Sequence, residues 1–360
     1  MEELPKELFA PPTAETESPI LRRGFLKAGL GGVGLLGAGA LGVSLDGSRS
    51  ARASAPPVPK GHPAYLMPGV MGEVDHVKNG FNPTATLTDF DGGVVSVLPN
   101  GQTLHEYRLI VQHNTVEIVP GVEYPAWTYN GRIPGPTIRV REGDRVRIKL
   151  FNAGDHPHSI HFHGIHPGTM DGVFDASSGV VVPGGNYTYE FDAEPFGLHL
   201  YHCHTAPLAK HISKGLYGAF IIDPAQGRPK ADRELVMVMS GFDVDFDGKN
   251  DFYAVNGIPF HYDHGKNPIK LRVGELVRIY LVNALEFDPI NSFHLHANFF
   301  HYYPTGTSLS PSEFTDIIPQ MQGQRGILEF RYKYPGRYMF HAHKTEFAEL
   351  GWTGVFEVEG

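Results

Sequence analysis

"GPTIRVREGDRVRIKLFNAG" spans residues 135–154, and "NPIKLRVGELVRIYLVNALE" spans residues 267–286. Each opens on a proline-led run alternating apolar and polar side chains, turns on a Gly followed by an acid, and closes on a second run ending in Asn-Ala. Alternation of period two on either side of a Gly turn is the mark of short β-strands. The match continues outward. "SIHFHG" (159–164) is answered by "SFHLHA" (292–297), and "YEFDAEPFGLHLYHCH" (189–204) by "LEFRYKYPGRYMFHAH" (328–343). "GLYGAFIID" (215–223) is answered by "GWTGVFEVE" (351–359). Such self-similarity reads as one domain present twice, joined near "DPAQGRPKADRE" (223–234). The other apolar runs, such as "YRLIVQ", "TVEIV" and "YTYEFD", are short and separated by Gly and Pro. No long apolar stripe of period 3.6 follows residue 54. The pattern predicts an all-β chain of two tandem antiparallel β-sandwiches.

The first 53 residues stand apart. Arg22 and Arg23 precede an uncharged stretch from Ala28 to Leu45, and "SARASAPP" follows. Glycine dilutes that stretch too far for a good membrane span. A charged start, a mild apolar segment and small residues near Ala51-Arg52-Ala53 read as a twin-arginine-like export signal, with a periplasmic or extracellular destination and no stable span in the mature chain. Residues 54–104 are rich in Pro, Gly and Asn and read as an extension. The first repeat is expected over 105–225 and the second over 226–360. The net charge of −9 gives nucleic acid no basic surface to bind. A single cysteine, Cys203, cannot form an intramolecular disulfide.

Twenty histidines are present, and five pairs are spaced i, i+2: 156/158, 161/163, 202/204, 294/296 and 341/343. Chance placement would give roughly one such pair in a chain of this length. In a strand, residues two apart share a face, so each pair aims two imidazoles at one place. His202 and His204 therefore face one way and Cys203 the other. His158 is out of phase with His161 and His163. Thus His158 and Cys203 can meet at one metal, with His211 returning to it after a loop, while 161, 163, 202 and 204 meet at another. Two imidazoles and one thiolate form the trigonal set of a blue copper site; zinc would require a fourth strong ligand, whereas the axial place falls to Leu216. His62, His76, His105, His113, His261 and His264 read as ordinary surface histidines.

The segments "HSIHFHG", "HCHTAPLAKHISKGLYG", "SFHLHA" and "FHAHKTEFAELG" resemble the copper-binding segments of multicopper oxidases, over about residues 105–360. The resemblance implies two cupredoxin-like Greek-key sandwiches and four coppers per chain. His158, Cys203 and His211 would hold type 1 copper, with Leu216 axial. His161 and His294 would hold type 2 copper; His163, His202, His204, His296, His341 and His343 would hold the type 3 pair. In the second repeat Asn291 replaces His158 and Ala342 replaces Cys203, so only the first domain carries a blue site. Two-domain members of this kind generally form homotrimers. Electrons would pass from a small reducing substrate (a phenol, an aromatic amine or a metal ion) through Cys203 to O2. Asp171 matches the family's carboxylate near type 2 copper, and Glu346 is a second candidate proton donor.

Two other readings compete. Copper nitrite reductases share this layout, but their catalytic Asp falls where His161 stands, and His204, His294, His296 and His341 would lack a role. A non-catalytic electron-transfer cupredoxin would need one copper and would leave the same histidines idle.

Overall fold

The computed structural model describes residues 72–263 and 266–360. The export-signal segment, His62 and His264 lie outside the described residues. Two β-sandwiches follow one another, as the repeat predicts. In the first, one sheet runs in the order Phe90–Asp91, Thr137–Arg141, Tyr217–Asp223, Gly197–His202, His161–Phe162. The other runs Val94–Val97, Thr103–Val119, Arg145–Asn152, Asn186–Asp192, with Val122–Tyr129 paired to the long strand. Ile138, Val140, Phe162, Tyr201, Phe220 and Ile222 of the first sheet meet Leu109, Val111, Val146, Ile148 and Leu150 of the second in one buried core.

The second sandwich repeats these pairings. Ile269–Arg272 runs parallel to Thr353–Glu359, as Thr137–Arg141 does to Tyr217–Asp223. Arg233–Phe242 runs parallel to Val277–Asn283, as Thr103–Val119 does to Arg145–Asn152. Neither sandwich is wholly antiparallel. These parallel neighbours are joined by long connections that cross between sheets, as parallel pairing requires.

Strands Gly197–His202 and Tyr217–Asp223 are buried along nearly their whole length. Their alternate residues serve two cores. Tyr201, Phe220 and Ile222 point into the first sandwich, while Leu198, Leu200, Ala219 and Ile221 pack against Val236, Val238, Tyr280 and Ile327 of the second. The strand that carries His202 is thereby clamped between domains.

The stretch before residue 105 is more than an appendage. Val94–Val97 pairs with the long strand, which itself begins at Thr103. Leu87 is buried in the core of the second sandwich, and the Val236 amide donates to its carbonyl (2.8 Å). Val74, Phe81 and Leu87 are each buried but irregularly spaced, so no periodicity announced them.

Candidate metal centre

Cys203 directly follows the strand Gly197–His202, and His211 sits in the short helix Leu208–Ser213 that returns the chain. His211 Nδ1 lies 3.2 Å from Cys203 Sγ and 3.2 Å from His158 Nδ1, and His158 Nδ1 is 3.8 Å from the sulfur. Donors about 2.0–2.3 Å from one ion stand at such mutual distances. All three residues are essentially inaccessible to solvent. Burial lowers the His158 pKa to about 3 and that of His211 to about 4, so both imidazoles are neutral and offer lone pairs. Burial pushes the Cys203 thiol up, so a metal must displace its proton to gain the thiolate. Leu216 is fully buried in the same apolar cluster as Cys203, and its carbonyl accepts from the Cys203 amide (3.0 Å). The donor set fits a soft, thiolate-binding metal ion.

On the opposite face, strand register builds a second group. His161 pairs with His202 across the sheet. The His163 and His202 Nε2 atoms approach to 2.9 Å. The His161 ring stands 5.0 Å from His163, 5.2 Å from His202 and 5.1 Å from His204. The second domain reproduces this arrangement. His294 pairs with His341, and His296 and His341 bring their Nε2 atoms to 2.9 Å. The His294 ring is 5.1 Å from His296, 5.3 Å from His341 and 5.2 Å from His343.

The inner nitrogens are held alike. His202 Nδ1 bonds the Cys203 carbonyl (2.9 Å), and His341 Nδ1 bonds that of Ala342 (2.7 Å). This fixes the proton on Nδ1 and leaves Nε2 as the donor atom. Burial lowers the pKa of His163 to about 3 and of His202 to about 4, and it also lowers those of His161, His296 and His341. Among the described residues, ring contacts join each set internally and none joins the two sets.

Asp171 is where a second partner for His161 should be: its carboxylate lies 2.9 Å from His161 Nδ1, and its carbonyl 3.1 Å. The same carboxylate reaches His166 Nε2 at 3.3 Å. Sequence reasoning missed the counterpart, Asp316, whose carbonyl lies 3.0 Å and carboxylate 3.7 Å from His294 Nδ1. Glu346 belongs to the helix Thr345–Glu349, with its carboxylate 3.8 Å from Lys344 Nζ. Several histidines read as ordinary surface residues are otherwise. His261 is buried against Thr84 (2.8 Å), His105 is largely covered and paired with Asp144 (3.0 Å), and His113 packs directly on His158.

Two family models, both described as multicopper oxidase, match residues 110–227 and 231–360. The chain belongs to the multicopper oxidase family. It is therefore a copper-binding oxidoreductase of two cupredoxin-like domains. A solved multicopper oxidase superposes with a TM-score of 0.78 at 60% identity, over 80% of this chain and 100% of that one. A copper-containing nitrite reductase from Neisseria meningitidis serogroup A is 33% identical over 68% of this chain and 67% of its own length. Laccase-3 of Oryza sativa subsp. japonica is 30% identical over 53% of this chain and 37% of its own. The chain thus spans about two thirds of the nitrite reductase and little more than a third of the laccase. Among the described residues, no helix is long and apolar enough to cross a membrane.

Proposed function

We propose that this multicopper oxidase couples one-electron oxidation of a small reducing substrate at a blue copper site to four-electron reduction of O2 to water at a trinuclear cluster. The observation that carries the reading is the pair of matched four-histidine sets, one per domain, with Cys203 lying between two members of the first. A nitrite reductase needs one three-histidine copper and would leave most of these imidazoles unused. The relatives named nitrite reductase share the scaffold, and scaffold alone does not transfer chemistry.

His158, Cys203 and His211 would hold type 1 copper. His161 and His294 would hold type 2, and the remaining six histidines the type 3 pair. Copper so held supplies one-electron transfer at the first site and dioxygen binding and reduction at the cluster. The chain's own part is positional. The peptide links from Cys203 to His202 and His204 give electrons a covalent route from one site to the other. Backbone carbonyls lock His202 and His341 with Nε2 forward. Asp171 and Asp316 hold His161 and His294, and their carboxylates are the groups able to move protons toward the cluster.

The cluster is proposed to form between subunits of a homotrimer. Each domain carries half of the donors, and among the described residues no ring contact joins the two halves within one chain. Exposed Phe299, Phe314 and Tyr334 line the same cleft as His294 and His296, an apolar surface suited to a partner. Export through the twin-arginine pathway to the periplasm or exterior is proposed from the N-terminal sequence.

Metal analysis and oxygen uptake test the function together. The expected result is four coppers per chain, a blue protein, and O2 consumed with phenols or reducing metal ions. Two coppers per chain with nitrite, and not O2, as acceptor would replace this reading with nitrite reduction.

A further inference from the structure

Neither His158 nor His211 reaches solvent, at 0% and 2% exposure, so an outer reductant cannot touch a blue-site imidazole directly. What covers His158 is His113. Its Nε2 lies 3.2 Å from His158 Nε2, and its Nδ1 lies 2.9 Å from the Asp155 carboxylate. His158 turns Nδ1 toward Cys203 and His211, so its proton sits on Nε2 and is donated to His113 Nε2. That obliges His113 to carry its own proton on Nδ1, where Asp155 accepts it. One tautomer assignment thus satisfies the whole chain from carboxylate to blue site.

The arrangement is built. His113 is the register partner of Trp127, and the two rings stack at 5.0 Å with 15° between planes. Trp127 also meets His158 and His211 edge-on, at 5.2 and 4.7 Å. Gly154 leaves the space that His113 occupies: a Cβ there would come within 2.6 Å of His113 Nε2. The His113 side chain keeps 24% exposure, whereas Trp127 is 6% exposed. His156 is more exposed but contacts Asp155, Trp127 and His113, and stands one ring further out.

We propose that His113, oriented by Asp155, is the port through which reducing electrons pass to His158. The inference rests on the blue-site reading above and holds whichever acceptor the cluster uses. The step is electron transfer alone. The substrate loses one electron, the blue site gains it, cupric becoming cuprous, and no proton or atom changes hands at His113. A small reductant that can lay a flat or compact face beside the His113 and His156 edges is the class that fits.

The test is anaerobic stopped-flow bleaching of the blue band in the copper-loaded protein, with hydroquinone and with ferrocyanide. His113→Phe keeps a ring of similar bulk but cannot accept from His158. Asp155→Asn, at an exposed position, leaves the core untouched. Both variants should slow bleaching about tenfold or more, shift the blue-site reduction potential, and leave reoxidation by O2 unchanged. Bleaching rates within twofold of wild type together with unchanged reduction potentials in both would overturn the proposal. So would a Trp127→Phe variant that slows bleaching while His113→Phe does not, because the indole would then be the port. If His113→Phe fails to load copper, Asp155→Asn alone decides by the same criteria. A wild-type protein with no blue band would instead sink the copper-site reading itself.

Discussion

Mixing two inactive variants offers a quantitative test of where the cluster sits. His163→Ala removes a donor from the first-domain half, and His343→Ala removes one from the second-domain half. Each variant alone should lack oxygen reduction, because every site it forms contains one damaged half. In a head-to-tail ring, each site combines the first domain of one subunit with the second domain of the next. At equal mixing half of each kind of domain is intact, so about one site in four draws intact halves from both partners. About three quarters of the trimers then carry one restored site, and the same fraction of sites follows for any ring size. Oxygen uptake should therefore return to about a quarter of the wild-type rate after subunit exchange. On the proposed assignment neither variant touches the blue site, so electron supply does not limit the recovery. The structure motivates the test because His163 lies near Gly323 of its own second domain, yet among the described residues no ring contact joins one histidine set to the other. Mass spectrometry of differently tagged variants establishes the exchange. Activity that stays at the level of the separate variants after verified exchange would refute the shared site and place the cluster within one chain.

Three further outcomes are expected. Asp171→Asn and Asp316→Asn should each lower oxygen turnover about tenfold to a hundredfold while the blue band persists; an Asp316→Asn rate near wild type would show that its match to Asp171 is geometric only. Leu216→Met should lower the blue-site reduction potential, because a thioether beside the copper favours the cupric state; an unchanged potential would remove Leu216 from the axial place. Burial raises the Glu286 pKa from 4.5 to about 7. A raised carboxyl pKa means that the folded state binds the extra proton, so this group's contribution to stability falls as pH rises from 4.5 to about 7. The shift corresponds to about 3 kcal/mol, which partial exposure screens to about 1–2 kcal/mol. Glu286→Gln should accordingly stabilise the fold by that amount at about pH 8, with the gain vanishing near pH 4. Thermal midpoints at the two pH values check it, and an equal gain at both would show that burial of the charge is not the cause.

How much of this was legible in the sequence depended on whether a residue's place follows from local periodicity. His161, His163, His202 and His204 could be grouped, and Cys203 set apart, because strand geometry alternates faces without reference to anything distant. His113 could not be found that way. It lies 45 residues before His158 and reaches it only through the register that pairs it with Trp127 and the gap left by Gly154. Asp316 follows His294 by 22 residues and meets it across the pairing of Ile290–Leu295 with Ile317–Met321.

The second domain shows the same limit from the other side. Asn291 and Ala342 were readable as losses of the His158 and Cys203 donors, but what took up the space was not. The Ala342 amide bonds the Trp352 carbonyl (3.2 Å) as Cys203 bonds Leu216 (3.0 Å), and the Trp352 amide bonds Phe347 (2.9 Å) as Leu216 bonds His211 (3.4 Å). Phe347 and Trp352 therefore occupy the places of His211 and Leu216, both fully buried in the apolar core. Restoring Asn291→His and Ala342→Cys alone would leave Phe347 where the third donor must stand and Trp352 filling the cavity. Where the first domain places Cys203 and His211, this domain has apolar packing, while the strand register that holds His294 and His341 together is the same in both.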